Sequence, residues 1–111
     1  MKILIQSPDD RLSLENGVIK AVASGSCHRF PLSELAEAII LTTDVGPFYD
    51  DMGLALRMKD STAVFILSEH RDYDTFLFDQ LAKAVEIDYE AIIQASSCTE
   101  NKIFIIYKQE V

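Results

Sequence analysis

From Phe30 to Leu56 the chain has no Lys, Arg or His, although Glu34, Glu37, Asp44, Asp50 and Asp51 all fall in that stretch. Over all 111 residues, 10 basic side chains stand against 18 acidic ones, a formal charge of −8. Missing positive charge excludes a nucleic-acid or anionic-lipid surface in this window, because grouped carboxylates repel phosphates and attract cations. Glycine and proline are scarce, at 4 and 3, while 49% of residues are hydrophobic, which excludes a disordered or low-complexity chain. Long apolar runs are missing too. Ile3-Leu4-Ile5 is too short for the apolar region of a secretory signal, and no later stretch approaches a membrane span. The expectation is a cytoplasmic protein without membrane contact. Only two cysteines occur, Cys27 and Cys98, with no paired-ligand spacing, so both are expected to be reduced, buried, small apolar side chains. Phosphate loops, zinc ligand pairs and dinucleotide fingerprints are absent, and neither a metal nor an organic cofactor is expected.

What is present reads as one domain over residues 1–111, near the common domain size. Lys2 to Gln6 is a short candidate strand. Leu12-Ser13-Leu14 and Val18 to Ala23 flank Asn16-Gly17, a pair that tolerates the positive φ angles of a two-residue hairpin turn. Ser24-Gly25-Ser26 supplies the next turn. Pro31 to Leu35 suits a single helical turn and Ala36 to Thr43 a strand, the β-branched residues deciding against propensity in the first half. A helix continuing to Leu41 is the alternative. Met52 to Met58 and Thr62 to Leu67 form an expected antiparallel pair around Lys59-Asp60-Ser61.

After Arg71 the period changes. Tyr73, Phe76, Leu77, Leu81, Ala84 and Val85 recur at steps of three and four, which predicts a helix begun at Asp72 or Asp74. A second helix starts at Asp88 and buries Ile92, Ile93 and Ala95. Ile103 to Tyr107, continuously apolar, reads as a strand covered on both faces. The sum is an α+β fold: an antiparallel β-sheet with two consecutive C-terminal helices and a final strand.

Three groups of residues are candidates for function. Cys27 and His28 are neighbours on an expected strand and therefore point to opposite faces, which argues against a thiol activated by a base. Glu69, His70, Arg71, Asp72 and Asp74 cluster after a strand, where active residues often sit; an enzyme would use Glu69, His70 and Asp72 for acid–base chemistry. The plainer reading is a helix start with local ion pairs. In Asp44-Val45-Gly46-Pro47-Phe48-Tyr49-Asp50-Asp51, the aromatics Phe48 and Tyr49 lie between Gly-Pro and an acidic pair. An apolar anchor inside a negative rim has the anatomy of a protein interface. The spacing of Asp44, Asp50 and Asp51 does not match a calcium loop.

Several features also carry a resemblance. Pro31, Ser33 and Leu35 precede a strand, Thr43-Asp44 follow it, and Asp50-Asp51 precede the next. Glu69 closes the hairpin, and Ala95, Asn101 and Tyr107 mark the C-terminal segment. In this order the chain resembles a family of small, uncharacterised bacterial proteins over about two thirds of its length. Proteins of this build are similar in type to immunity proteins encoded beside antibacterial toxins, which are small, acidic, cytoplasmic and free of cofactors. The resemblance implies a non-enzymatic protein that binds a cationic partner, such as a toxin domain, through Asp44, Phe48, Tyr49, Asp50 and Asp51. A small enzyme and a peptide-binding β domain are the rival readings, and the high apolar fraction is also compatible with a homodimer.

Overall fold

The computed structural model describes residues 2–42, 52–97 and 102–109. Its first sheet is a three-stranded meander of β2 (Arg11–Glu15), β3 (Val18–Ala23) and β4 (Ser26–Pro31), in the order β2-β3-β4. Both turns are tight because their residues accept positive φ: Asn16 at 52° with Gly17 at 75°, and Ser24 at 53° with Gly25 at 80°. Such left-handed pairs match the twist of the strands they join. Register runs from Arg11 opposite Val22 to Glu15 opposite Val18, so Leu12, Leu14, Ile19 and Ala21 all face the interior.

The second sheet has five strands in the order β1-β7-β6-β5-β8: β1 (Lys2–Ile5), β5 (Leu35–Thr42), β6 (Met52–Met58), β7 (Ala63–Leu67) and β8 (Lys102–Lys108). A 3-10 turn over Leu32–Glu34 leads directly into β5, so residues 35–42 are strand and the longer helix does not form. The β6–β7 hairpin closes through Ser61 at φ 73°, where Asp60 Oδ1 accepts from the Thr62 N–H at 2.9 Å. All neighbours are antiparallel except β1 and β7, which run parallel. A parallel pair needs a long crossover, here the whole meander plus β5 and β6.

The helical layer follows β7. Helix α1 comprises α-helical Arg71–Asp74, a π-wound stretch Thr75–Leu81 and α-helical Ala82–Ala84. Helix α2 spans Tyr89–Ser96, with Asp88 Oδ1 accepting from the Ala91 N–H at 3.1 Å. Tyr73, Phe76, Leu77 and Leu81 of α1, with Ala91, Ile92 and Ala95 of α2, join Ile3, Ile5, Ile40, Leu54, Leu56, Val64 and Ile66 in one buried cluster. That cluster also contains the meander's apolar residues, so both sheets and both helices share a core.

The fold is α+β with mostly antiparallel strands, as expected, but several particulars differ. There are eight strands in two sheets among the described residues, and β1 is parallel to its neighbour. Strand β8 is an edge strand with Ile103 and Ile105 exposed, and the expected strand covered on both faces is not found. Ile93 is 68% exposed, because Ile92 alone of that pair falls on the inward stripe of α2. Cys27 is exposed on the outer side of β4. Cys98 lies outside the described residues.

Candidate functional site

The residues expected to bind a partner, Asp44, Phe48, Tyr49, Asp50 and Asp51, lie outside the described residues. The structure does place the charged cluster, and the sheet around it exposes a second feature.

His70 occupies the N-cap of α1, a role expected of Asp72 or Asp74. Its Nδ1 accepts from the Asp72 N–H at 3.1 Å, and its Nε2 lies 2.9 Å from the Ser7 carbonyl oxygen, to which it donates. Those two bonds fit a neutral imidazole with its proton on Nε2 and engage both nitrogens. Asp72 Oδ2 accepts from Arg11 Nε at 2.8 Å and from the Leu12 N–H at 3.0 Å. Burial pushes the Asp72 carboxyl up, but the Arg11 guanidinium and the Leu12 amide outweigh it and hold the group below the usual carboxylate range. Further along α1, Gln80 Oε1 accepts from the Leu14 N–H at 2.8 Å. Leu12 and Leu14 are the outward amides of edge strand β2, so α1 covers that edge with two side-chain acceptors.

Asp10 ties the other side of the turn. Its Oδ2 accepts from the Gln6 and Ser7 amides at 3.1 and 2.9 Å, and its Oδ1 from the Ser24 amide at 3.2 Å. The Ser7 and Gln6 amides hold the Asp10 carboxyl below its ordinary range. Asp10, His70 and Asp72 therefore fasten the β1–β2 connection, the meander and α1 to one another. A hollow of about 350 Å³ adjoins them, lined by Gln6, Pro8, Leu67, Glu69, His70 and Arg71.

The five-stranded sheet has a second side that the core does not use. Leu4 pairs with Phe65, Phe65 with Ala55, Ala55 with Ile39, and Ile39 with Ile105, so one row of apolar side chains crosses all five strands. A parallel row carries Leu67, Gly53, Leu41 and Ile103. None of these residues belongs to the buried cluster or packs against it. Leu4, Ile103 and Ile105 are 50%, 65% and 49% exposed, and those between them are half-buried by their own neighbours. A third row, Lys2, Ala63, Arg57, Glu37 and Lys108, forms a polar border in which Arg57 Nε meets Glu37 Oε1 at 2.7 Å.

The described part of the acidic stretch meets cations of other strands. Glu37 pairs with Arg57, and β5 lies beside Lys102 and Lys108 of β8. Among the described residues, exposed acid is concentrated in the helical layer. Glu69, Asp74, Asp79, Glu86, Asp88 and Glu90 are exposed there against Arg71 and Lys83. Among the described residues no group of three or more His, Cys, Asp or Glu is placed to hold a metal ion. No helix among them is long and apolar enough to cross a membrane.

Sequence reasoning missed the open sheet face. Its signal was present in Ile39-Ile40-Leu41, Ala63 to Leu67 and Ile103 to Ile106, which do not alternate between apolar and polar residues. Such strands are apolar on both faces, and here only one face is covered. No family model, curated protein or solved structure matches the chain.

Proposed function

We propose that this chain is a non-enzymatic acidic binding protein, an immunity protein that binds and neutralises a cationic toxin domain in the cytoplasm. On this reading the antiparallel sheet, the two consecutive C-terminal helices and the final strand are a rigid scaffold for acidic side chains. Phe48 and Tyr49 serve as apolar anchors, and Asp44, Asp50 and Asp51 meet cationic groups that would otherwise hold phosphate. The observation that carries the reading is the helical layer, where six exposed carboxylates from Glu69 to Glu90 face solvent with only Arg71 and Lys83 among them. A surface of that sign accelerates encounter with a cationic protein. The charged turn supports it as well: His70 and Asp72 are held in hydrogen bonds that fasten the fold, and the two side chains meet only through a backbone amide.

The test is capture of partners from the native cells by the tagged chain at low salt, followed by association kinetics with the captured protein. A basic domain is expected, bound rapidly at low salt and slowly at high salt. Asp50→Lys with Asp51→Lys should slow association at low salt and change it little at high salt. Equal low-salt association for wild type and double variant would overturn the assignment of those residues.

A second reading, a peptide added along a strand edge, is favoured by β8. Beside that edge lies a hollow of about 560 Å³ lined by Glu86, Ile87, Asp88 and β8 residues from Ile105 to Lys108. The Asp88 N–H already donates to the Ile106 carbonyl at 2.8 Å, so a peptide has only the Lys102 end of the edge for pairing.

A further inference from the structure

We propose that the open face of the five-stranded sheet packs against the same face of a second copy of this chain, giving a two-fold dimer held sheet to sheet. The first apolar row and the polar border run across five strands and the second apolar row across four, the strands about 4.8 Å apart and the rows two residues, about 7 Å, from one another along the strands. In plan the face therefore measures about 24 by 20 Å, and two copies stacked together cover on the order of 1,000 Å². That reaches the roughly 1,000 Å² from which a specific interface becomes stable, with the two apolar rows making up about two thirds of it.

Shape and charge both point to a second copy. Two sheets with the same right-handed twist stack in register at a small angle, with side chains from the facing rows interleaving across a gap of about 10 Å. Leu4, Phe65, Ile39 and Ile105 supply large side chains beside the small Ala55, with the Phe65 ring lying over Gly53, so the face has ridges to interleave. Among the described residues the charges on the face are Lys2, Arg57, Glu37 and Lys108, a net positive border on a chain of charge −8. Among the described residues the largest group of exposed carboxylates lies on the helical layer, which packs on the buried side of the sheet. Stacking the open faces thus turns the two acidic helical layers away from each other. A two-fold contact of this kind is isologous, so every substitution enters it twice.

Sedimentation equilibrium of the full chain from about 1 µM to about 1 mM tests the proposal. Wild type should approach twice the 12.5 kDa chain mass. Because the copies repel through their net charge, the dimer should strengthen as salt is raised, the opposite of the sign expected for a cationic partner. Ile105→Lys, on the exposed edge of β8, should raise the dimer dissociation constant at least about a hundredfold with an unchanged circular dichroism spectrum. Leu4→Lys, at the far edge on β1, should do the same, which edge-to-edge pairing through β8 would not produce. Ile93→Lys, exposed on α2, should leave the dimer intact. Wild type at 12.5 kDa throughout, or a dimer that survives Ile105→Lys and Leu4→Lys, would overturn the proposal while leaving the toxin-binding reading untouched.

Discussion

Asp72 on helix α1 accepts the backbone N–H of Leu12 on strand β2 at 3.0 Å, and the same oxygen takes Arg11 Nε at 2.8 Å. The two bonds differ in weight. Arg11 is 57% exposed at its side chain, and a solvated ion pair contributes about 0–1 kcal/mol. The Leu12 amide is buried, and leaving such a donor without a partner costs about 1–3 kcal/mol. Asp72→Ala should therefore destabilise the protein by about 2–3 kcal/mol in urea unfolding, and Arg11→Ala by less than about 1 kcal/mol. Equal costs would mean that the ion pair, and not the capped edge, holds helix to sheet.

Acid should loosen this region and the β6–β7 hairpin. Asp10, Asp60 and Asp72 are all held below their ordinary range: Asp10 and Asp60 chiefly by backbone amides, Asp72 by Arg11 and Leu12 against the opposing effect of burial. A carboxylate depressed in the folded state contributes stability that is complete above the unfolded value, about pH 4, and is lost as pH falls through the folded value. The urea midpoint should stay high from pH 7 to about pH 5 on account of these groups and fall steadily below about pH 4. Asp10→Asn, which keeps one acceptor oxygen but cannot ionise, should flatten part of that fall. A midpoint unchanged down to about pH 2.5 would show that Asp10 and Asp72 do not hold the turn, nor Asp60 the β6–β7 hairpin.

Neighbouring residues of the helical layer should respond very differently to truncation. Leu81 is fully buried in the core, so Leu81→Ala should cost about 2–5 kcal/mol. Ile93 is mostly solvated, and Ile93→Ala should change stability by less than about 0.5 kcal/mol. Thermal or urea unfolding of the two variants side by side separates them, and a comparable loss in both would place Ile93 in a buried contact.

The hairpin around Asn16-Gly17, the turn and strand after Pro31, and the inward stripe of α1 were all legible because each is decided locally. Positive φ needs particular residues, and helical period shows in the spacing of Tyr73, Phe76, Leu77 and Leu81. The parallel pairing of β1 with β7 was not legible, since it depends on what a long crossover brings back. Ile103 to Tyr107 misled because an apolar run reports what a strand can bury and not whether a covering layer exists. Within the acidic window, Glu37 is opposite Arg57 in the sheet although no cation precedes Arg57 in that part of the chain, a pairing across strands that the order of residues does not show. The helix start at His70 and Asp72 was legible in the local charges, but the particular partners, the Ser7 carbonyl, Arg11 and the Leu12 amide, are supplied by elements distant in sequence.

Phe65 and Gly53 offer a test of how the open face is built. The ring of Phe65 lies over Gly53, so that a Cβ added there would meet Cε2 at 2.8 Å and the Ile66 carbonyl oxygen at 3.1 Å. Gly53→Ala should therefore push the ring off the sheet and cost about 1–2 kcal/mol, as overpacking does. In a Phe65→Ala background the ring is gone and only the carbonyl remains near, so the same change should cost close to nothing. The coupling between the two substitutions should be about 1 kcal/mol or more, measurable by a double-mutant cycle in urea. Displacing the ring also roughens the apolar face, so Gly53→Ala should weaken self-association even where the fold persists. If Gly53→Ala costs the same in both backgrounds, the Ile66 carbonyl sets the limit. Glycine would then be required at this position by the backbone alone, and the face would owe nothing to the fit of ring over strand.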